Sequence, residues 1–335
     1  MPNEMFMPVV VMIRHAQSEW NREGRFTGWA DPGLTEVGEA EAVRAGQLLA
    51  RRGLHFDAAY TSRLARARQT AETVLRLSGD ADVPLVADWR LNERHYGALQ
   101  GEDKAAMTAR VGEHQVWRWR RGYLDRPPAM TADDPHHPAR DARMADIDPA
   151  ERPNGESLAD TRRRVTGFWD TEIVPQIRAG RRLLIASHGN TLRALIMALD
   201  GMQQHQVEAF EIPTGVPILY VFSASGEPIG WHYLDPTADG RRSARCLGSA
   251  VPASSVCASH DRGRYRTDPG VRSAPPPWRR KGYAIRRPRP ARRVVVRPGR
   301  SGRGPRPWPC KVPGPPAGSR LRCRHHPAGR RRSRR

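Results

Sequence analysis

Residues 1–240 of this 335-residue chain contain no cysteine; Cys246, Cys257, Cys310 and Cys323 all lie in the last hundred positions. That excludes a disulfide framework and a cysteine-based metal site from the part of the chain with apolar periodicity. Lysine is nearly absent: Lys104, Lys281 and Lys311 are the only three, so positive charge is carried by arginine. No apolar run approaches the roughly 18 residues needed to cross a bilayer, so no membrane association is expected. The opening Met1–Pro8 has no basic stretch leading into a long apolar one, so it does not read as a secretory signal. A cytoplasmic address is the expectation. No metal-ligand spacing stands out, and no metal is expected.

The net charge of +21 averages two different objects. Residues 241–335 hold 28 of the 56 Lys+Arg but only 2 of the 35 Asp+Glu, which leaves 28 against 33 in residues 1–240. Residues 1–236 read as an ordinary, mildly acidic folded domain. Residues 237–335 are an Arg/Pro/Gly-rich tail, expected to be disordered because it cannot bury enough apolar surface to offset its ordering entropy. Its arginines could hold nucleic acid nonspecifically through counterion release. No reading module accompanies them, so a solvated, non-functional segment is the plainer interpretation. The abrupt change in composition is what a shifted reading frame of GC-rich DNA would produce.

Strand and helix periods alternate along 9–234. Residues 9–13 read as a buried strand and 35–53 as a helix capped by Thr35. Phe56–Ser62 reads as a strand entering a helix with Leu64, Ala67, Ala71, Val74 and Leu75 inward. Pro84–Val86 is a short third strand. Residues 156–177 and 190–199 read as helices, 183–187 and 216–222 as strands, and 231–234 as an edge strand. Residues 110–150 lack periodicity and are read as a long excursion with short helices, a candidate lid. The alternation predicts a three-layer α/β/α sandwich around a mostly parallel sheet.

Chemistry concentrates where strands end. Val9–Ile13 runs into Arg14-His15, and Leu183–Ser187 runs into His188-Gly189-Asn190. The carboxyl ends of such strands are where open α/β sheets bind ligands. Neutral imidazole is a competent nucleophile toward phosphorus. Guanidinium groups suit phosphoryl oxygens because they are planar, always charged and bind two oxygens at once. Arg14, Arg66, His188 and the main chain of Gly189-Asn190 could stabilise a transferring phosphoryl. In Leu91–Gly101, Glu93 is a candidate general acid and base. Trp117–Gly122 offers a clamp for a second anionic group.

Together Arg14-His15 with Ser18 and Asn21, Phe26–Trp29, Tyr60–Ser62, Leu91–Gly101, Trp119–Gly122, Ser187–Asn190 and Ile212–Pro217 resemble the cofactor-dependent phosphoglycerate mutases of the histidine phosphatase superfamily, over about residues 8–236. The resemblance implies that His15 is the phosphorylated nucleophile, Glu93 the proton donor and acceptor, and His188 a stabiliser of the phosphoryl transition state. It implies Arg14 and Arg66 on the transferring phosphoryl, assisted by Asn21, Gly189 and Asn190. Thr27, Gly28, Arg94, Tyr96, Lys104, Arg120 and Arg121 would hold the carboxylate and other phosphate of the substrate. The implied reaction interconverts 3-phosphoglycerate and 2-phosphoglycerate, primed by 2,3-bisphosphoglycerate, in a homo-oligomer (dimer or tetramer). A phosphomonoester hydrolase of the same superfamily is the alternative. Two departures stand out: Ala16-Gln17 replaces the family's Gly-Glu, and the tail replaces the short Ala-rich end that helps close the site in relatives.

Overall fold

The computed structural model describes residues 7–235. The expectations for the 237–335 tail lie outside the described residues.

Six strands form one sheet: β1 (Val9–Arg14), β2 (Ala58–Thr61), β3 (Leu85–Ala87), β4 (Leu183–Ser187), β5 (Pro217–Phe222) and β6 (Pro228–Tyr233). Their order is β3-β2-β4-β1-β5-β6. The pairs β2/β3, β2/β4 and β1/β4 are parallel. β5 runs antiparallel to β1, and β6 to β5. The sheet is therefore mostly parallel, with two antiparallel strands closing one side.

Helices cover both faces, which explains why β1 is apolar from Val9 to Ile13 instead of alternating with polar residues. The helices in chain order are α1 (Glu19–Arg22), α2 (Glu36–Arg51), α3 (Ala65–Ser78), α4 (Lys104–Val111), α5 (Glu113–Arg121), α6 (Leu158–Phe168), α7 (Val174–Arg178), α8 (Gly189–Asp200) and α9 (Gln204–Ala209). Val9, Val11 and Ile13 pack with Ala45 and Leu49 of α2 and Ala71 and Val74 of α3. Val10 and Met12 point the other way, into a core with Leu158 and Val165 of α6 and Leu192 and Leu195 of α8. The two-residue period of the strand thus feeds two cores.

Thr35 caps α2 as expected, its side chain accepting from the N–H of Gly38. The helix expected over 156–177 runs from Leu158 to Arg178, but its hydrogen bonding loosens into a π turn at Trp169–Ile173. Pro175 follows directly, and proline has no N–H to continue the regular ladder.

The 110–150 excursion does hold short helices, but past α5 it does not cover the cleft described below. Met144 and Ile147 pack instead against Trp29 and Leu64. Of that stretch, Arg120 and Arg121 reach the cleft.

β1 and β4 lie side by side with Arg14 opposite Ser187. The N–H of His15 donates to the carbonyl of Ser187 at 2.8 Å. Both Arg-His and Ser-His junctions therefore leave the sheet together at its carboxyl edge.

Candidate active site

His15 is buried, and its Nδ1–H donates to the carbonyl of Ala16 at 2.8 Å. That bond fixes the tautomer and leaves the lone pair on Nε2. Arg66 confirms the direction, since its Nε donates to His15 Nε2 at 3.3 Å. Burial, then the charges of Arg66 and Arg14, hold the His15 pKa well below the ordinary imidazole value. The His15 imidazole is neutral at physiological pH. The turn after it is tied down on both sides: Ala16 N–H donates to Thr70 Oγ1 at 3.1 Å, and Gln17 N–H to Glu41 Oε2 at 2.8 Å.

Two arginines flank His15. Arg66 donates from Nη1 to the Ala30 carbonyl and from Nη2 to the Gly28 carbonyl, each at 2.9 Å. Burial lowers its pKa to about 10, so it remains charged. Arg14 donates from Nη1 to the carbonyl of Ile212 at 2.7 Å, inside the Ile212–Pro217 motif. Its Nε is buried and has no acceptor among the described residues. A Cβ at Gly189 would stand 3.3 Å from that Nε, so glycine lets the α8 amino end approach the guanidinium closely.

His188 lies beside His15, ring centroids 5.0 Å apart. Its Nε2 is 2.7 Å from Ser62 Oγ. Burial, and then the charge of Arg66, hold its pKa well below the usual value.

Glu93 is positioned by main-chain donors. Its Oε1 accepts from the N–H of Arg94 at 2.8 Å and of Asn190, in the first turn of α8, at 3.2 Å. An anion at a helix amino terminus is favoured by the helix dipole. Behind it, Ser187 Oγ donates to the Leu91 carbonyl at 2.8 Å and Thr191 Oγ1 to that of Asn92 at 2.6 Å.

These groups open into a cavity of about 220 Å³. Lys104, Arg120 and Arg121 line it as well. Lys104 donates from Nζ to the Arg25 carbonyl at 2.5 Å and sits over the Phe26 ring. Arg121 is paired with Glu211. Tyr96 is also in the lining, its hydroxyl oxygen accepting from Arg94 Nη2 at 3.0 Å and Asn190 Nδ2 at 3.3 Å. Burial alone would raise its pKa; the charge of Arg94 and these two hydrogen bonds outweigh that and lower it.

Of the residues expected from sequence, Arg14, His15, Asn21, Thr27, Gly28, Arg66, Glu93, Tyr96, Lys104, Arg120, Arg121, Gly189 and Asn190 all line this one cavity. Arg94 does not. It is fully buried behind Tyr96, and its Nη2 also donates to the carbonyls of Trp119 (2.6 Å) and Arg120 (2.8 Å). Its observed contacts anchor α5 rather than face the cavity. His188 is likewise buried and outside the lining. The sequence reading gave no site role to Arg25, Phe26, Arg193, Glu211 and Ile212, which also line the cavity. Phe26 and Ile212 stand within the motifs already noted, and Arg25 and Arg193 lie one and three residues outside them. Glu211 carries no pattern that would have found it. Among the described residues, no cluster of His, Cys, Asp and Glu could hold a metal, and no helix is long and apolar enough to cross a membrane.

Residues 10–135 and 128–235 match the profile of the histidine phosphatase superfamily (branch 1). A 2,3-bisphosphoglycerate-dependent phosphoglycerate mutase of Nitratidesulfovibrio vulgaris is 46% identical over 243 residues, covering 72% of this chain and 97% of the relative. The enzyme of the same name from Hamiltonella defensa is 44% identical over 230 residues, 69% of this chain and 92% of its own. A solved mycobacterial glucosyl-3-phosphoglycerate phosphatase has the same fold, with a TM-score of 0.50 at 23% identity over 68% of this chain and 97% of its own. The chain belongs to the histidine phosphatase superfamily and, within it, to the family of the 2,3-bisphosphoglycerate-dependent phosphoglycerate mutases.

Proposed function

We propose that this protein is a phosphoglycerate mutase that interconverts 3-phosphoglycerate and 2-phosphoglycerate, a step of glycolysis and gluconeogenesis, through phosphorylated His15. The observation that carries the reading is the pairing of a neutral nucleophile with two separate groups of cations in one small cavity. Arg66 donates to His15 and Arg14 adjoins it in the chain, while Lys104, Arg120 and Arg121, from α4 and α5, line the same cavity. A phosphomonoesterase needs the first group; a substrate that carries a second anion, and must be held while the phosphoryl moves, also needs the second.

The residues divide the work as follows. His15 Nε2 attacks phosphorus, forming the P–N bond as the P–O bond to the substrate breaks. Arg14 and Arg66 meet the equatorial oxygens, where charge must be stabilised. Glu93 gives a proton to the departing oxygen and takes one from the hydroxyl that receives the phosphoryl on the return. Asn21, Thr27, Gly28, Tyr96, Gly189 and Asn190 bound the volume in which the substrate turns. Lys104, Arg120 and Arg121 hold the group that is not reacting. Arg14 Nε, a buried donor without an acceptor among the described residues, and the several cations that line the cavity fit a doubly phosphorylated glycerate. When bound, 2,3-bisphosphoglycerate supplies the phosphoryl that primes His15. The reading carries with it a cytoplasmic location and the homo-oligomeric state of a dimer or tetramer. It assigns the catalytic domain to residues 1–236.

A coupled assay of 3-phosphoglycerate conversion, with and without the bisphosphate primer, tests this on the full chain and on His15→Ala. Primer-dependent conversion that vanishes in His15→Ala is expected. Release of inorganic phosphate without isomerisation would overturn the mutase in favour of a phosphomonoester hydrolase.

A further inference from the structure

Ser62 directly follows β2 and lies wholly buried against His188, which is also wholly buried. Neither residue lines the cavity. Ser62 Oγ accepts the N–H of Leu64 at 3.2 Å and stands 2.7 Å from His188 Nε2. The far nitrogen of that ring, Nδ1, is buried and has no hydrogen-bond partner among the described residues.

We propose that Ser62 is a positioning residue that holds the His188 proton on Nδ1, so that His188 offers a hydrogen-bond donor to the phosphoryl group on His15. The inference deepens the phosphoryl-transfer reading and rests on it.

The argument is a count of donors and acceptors. A hydroxyl has one proton to give and two lone pairs. One lone pair of Ser62 takes the Leu64 N–H. Its proton has His188 Nε2 at 2.7 Å to receive it. With that arrangement Nε2 is an acceptor, Nδ1 bears the ring proton, and one donor is left over. In the other tautomer Nε2–H would donate to Ser62. The serine proton would then lose that acceptor, and Nδ1 would be a buried lone pair with no donor on it. Two groups would go unsatisfied where the first arrangement leaves one, and buried polar groups are rarely left unpaired.

The remaining donor belongs to a ring that lies beside the nucleophile of the proposed reaction. The His188 ring lies 5.0 Å from that of His15. His15 also carries its proton on Nδ1, through the Ala16 carbonyl. The two imidazoles thus share a tautomer and do opposite jobs. His15 presents the Nε2 lone pair as nucleophile. His188 presents Nδ1–H, and an oxygen of the phosphoryl group on His15 Nε2 is the acceptor it lacks. No proton leaves His188 during transfer, since a donor that stabilises charge in the transition state keeps its proton.

The test begins with the wild-type chain. Two-bond proton–nitrogen correlation spectra of 15N-histidine-labelled protein, assigned with His188→Gln, report which nitrogen of His188 is protonated. Nδ1 protonated is expected; Nε2 protonated overturns the proposal. Ser62→Ala should then lower kcat by roughly tenfold or more, the scale of losing one transition-state donor, with KM within about twofold and the circular dichroism spectrum unchanged. Its His188 signals should show loss of the single tautomer. Ser62→Thr, which keeps the hydroxyl, should retain the tautomer and recover most of kcat. Full kcat in a folded Ser62→Ala would overturn the positioning role. A wild-type chain that does not isomerise phosphoglycerates would sink the mutase reading instead, and the tautomer spectra would still decide the state of His188.

Discussion

Arg164, on α6, donates from Nη2 to the main-chain carbonyl of Glu93 at 2.9 Å. The same guanidinium donates from Nη1 to the carbonyls of Arg90 and Asn92 at 2.8 and 2.9 Å. It also pairs with Glu156, whose Oε2 accepts the N–H of His95 at 2.8 Å. Trp29 Nε1 adds a second donor to the Glu93 carbonyl at 2.6 Å. One guanidinium therefore fixes the backbone on which the Glu93 carboxylate is carried.

Replacing Arg164 separates geometry from charge. Arg164→Met leaves Glu156 as an uncompensated buried carboxylate and three carbonyls short of a donor. Breaking a buried pair in this way costs about 3–5 kcal/mol. Arg164→Lys keeps the charge but cannot span three carbonyls and a carboxylate with a single ammonium. It should fold with a smaller loss of stability, and kcat should fall roughly tenfold with KM little changed, on the scale of about 1.4 kcal/mol of transition-state stabilisation. Urea unfolding and steady-state kinetics on both variants check this. Wild-type kcat in Arg164→Lys would show that Glu93 does not depend on this anchor.

Gly38 makes a prediction opposite to helix propensity. It lies in the first turn of α2, where alanine would be favoured by about 1 kcal/mol. A Cβ there would stand 2.1 Å from the carbonyl oxygen of Gln17, a backbone atom with little room to retreat. Gln17 follows Ala16 in the turn that bears His15, and its N–H is already held by Glu41. Gly38→Ala should therefore destabilise the protein and reduce activity together. A higher melting temperature with full activity would contradict it.

The same loop shows what sequence could and could not reveal. The strand run Val9–Ile13 and the cap at Thr35 are local signals, and both elements stand where the pattern predicts. Thirteen expected site residues line one cavity; of these, Arg14, His15, Arg66, Lys104, Gly189 and Asn190 sit at strand ends or helix starts, where motif spacing is rigid, while Arg120 and Arg121 close α5. Arg164 and Glu156 were read only as part of an amphipathic helix. Their partners lie 71 and 61 residues away in the chain, at Glu93 and His95, and no local period encodes that distance. The excursion at 110–150 failed as a cover for a related reason. Met144 and Ile147 are isolated apolar residues whose destination, beside Trp29 and Leu64, is set by tertiary packing.

Acid should unfold this protein earlier than its carboxylates alone would require. Burial lowers the pKa values of His15, His95 and His188, that of His95 to about 4. In the unfolded chain each histidine takes a proton near its ordinary pKa of about 6.5. Below that pH the unfolded state binds more protons than the folded one, so stability present above about 6.5 is lost as pH falls toward the folded values. For His95 the full loss is about 3 kcal/mol by pH 4. Urea titrations between pH 7 and 4.5 should show a midpoint that falls steadily. His95→Asn, whose Oδ1 can replace Nδ1 as acceptor for the Gly97 N–H, should flatten the slope. A flat profile in the wild type would mean that these histidines titrate normally in the fold.

Glu211 lines the cavity, where it pairs with Arg121. The Glu211 side chain is 71% exposed, against 21% for Arg121. Such a half-exposed pair is worth at most about 1 kcal/mol, because water screens it and the long side chains lose freedom. A phosphate or carboxylate of the substrate brings equal or greater charge to the same guanidinium, so it can displace Glu211 at small cost. Under the proposed assignment that cost falls on binding and not on the transfer step at His15. Glu211→Gln should therefore lower KM for 3-phosphoglycerate by up to about fivefold while kcat stays unchanged. Arg121→Met should raise KM instead, since the anchor itself is gone. If Glu211→Gln raised KM, the pair would be an organiser of Arg121, and the substrate would bind with the ion pair intact.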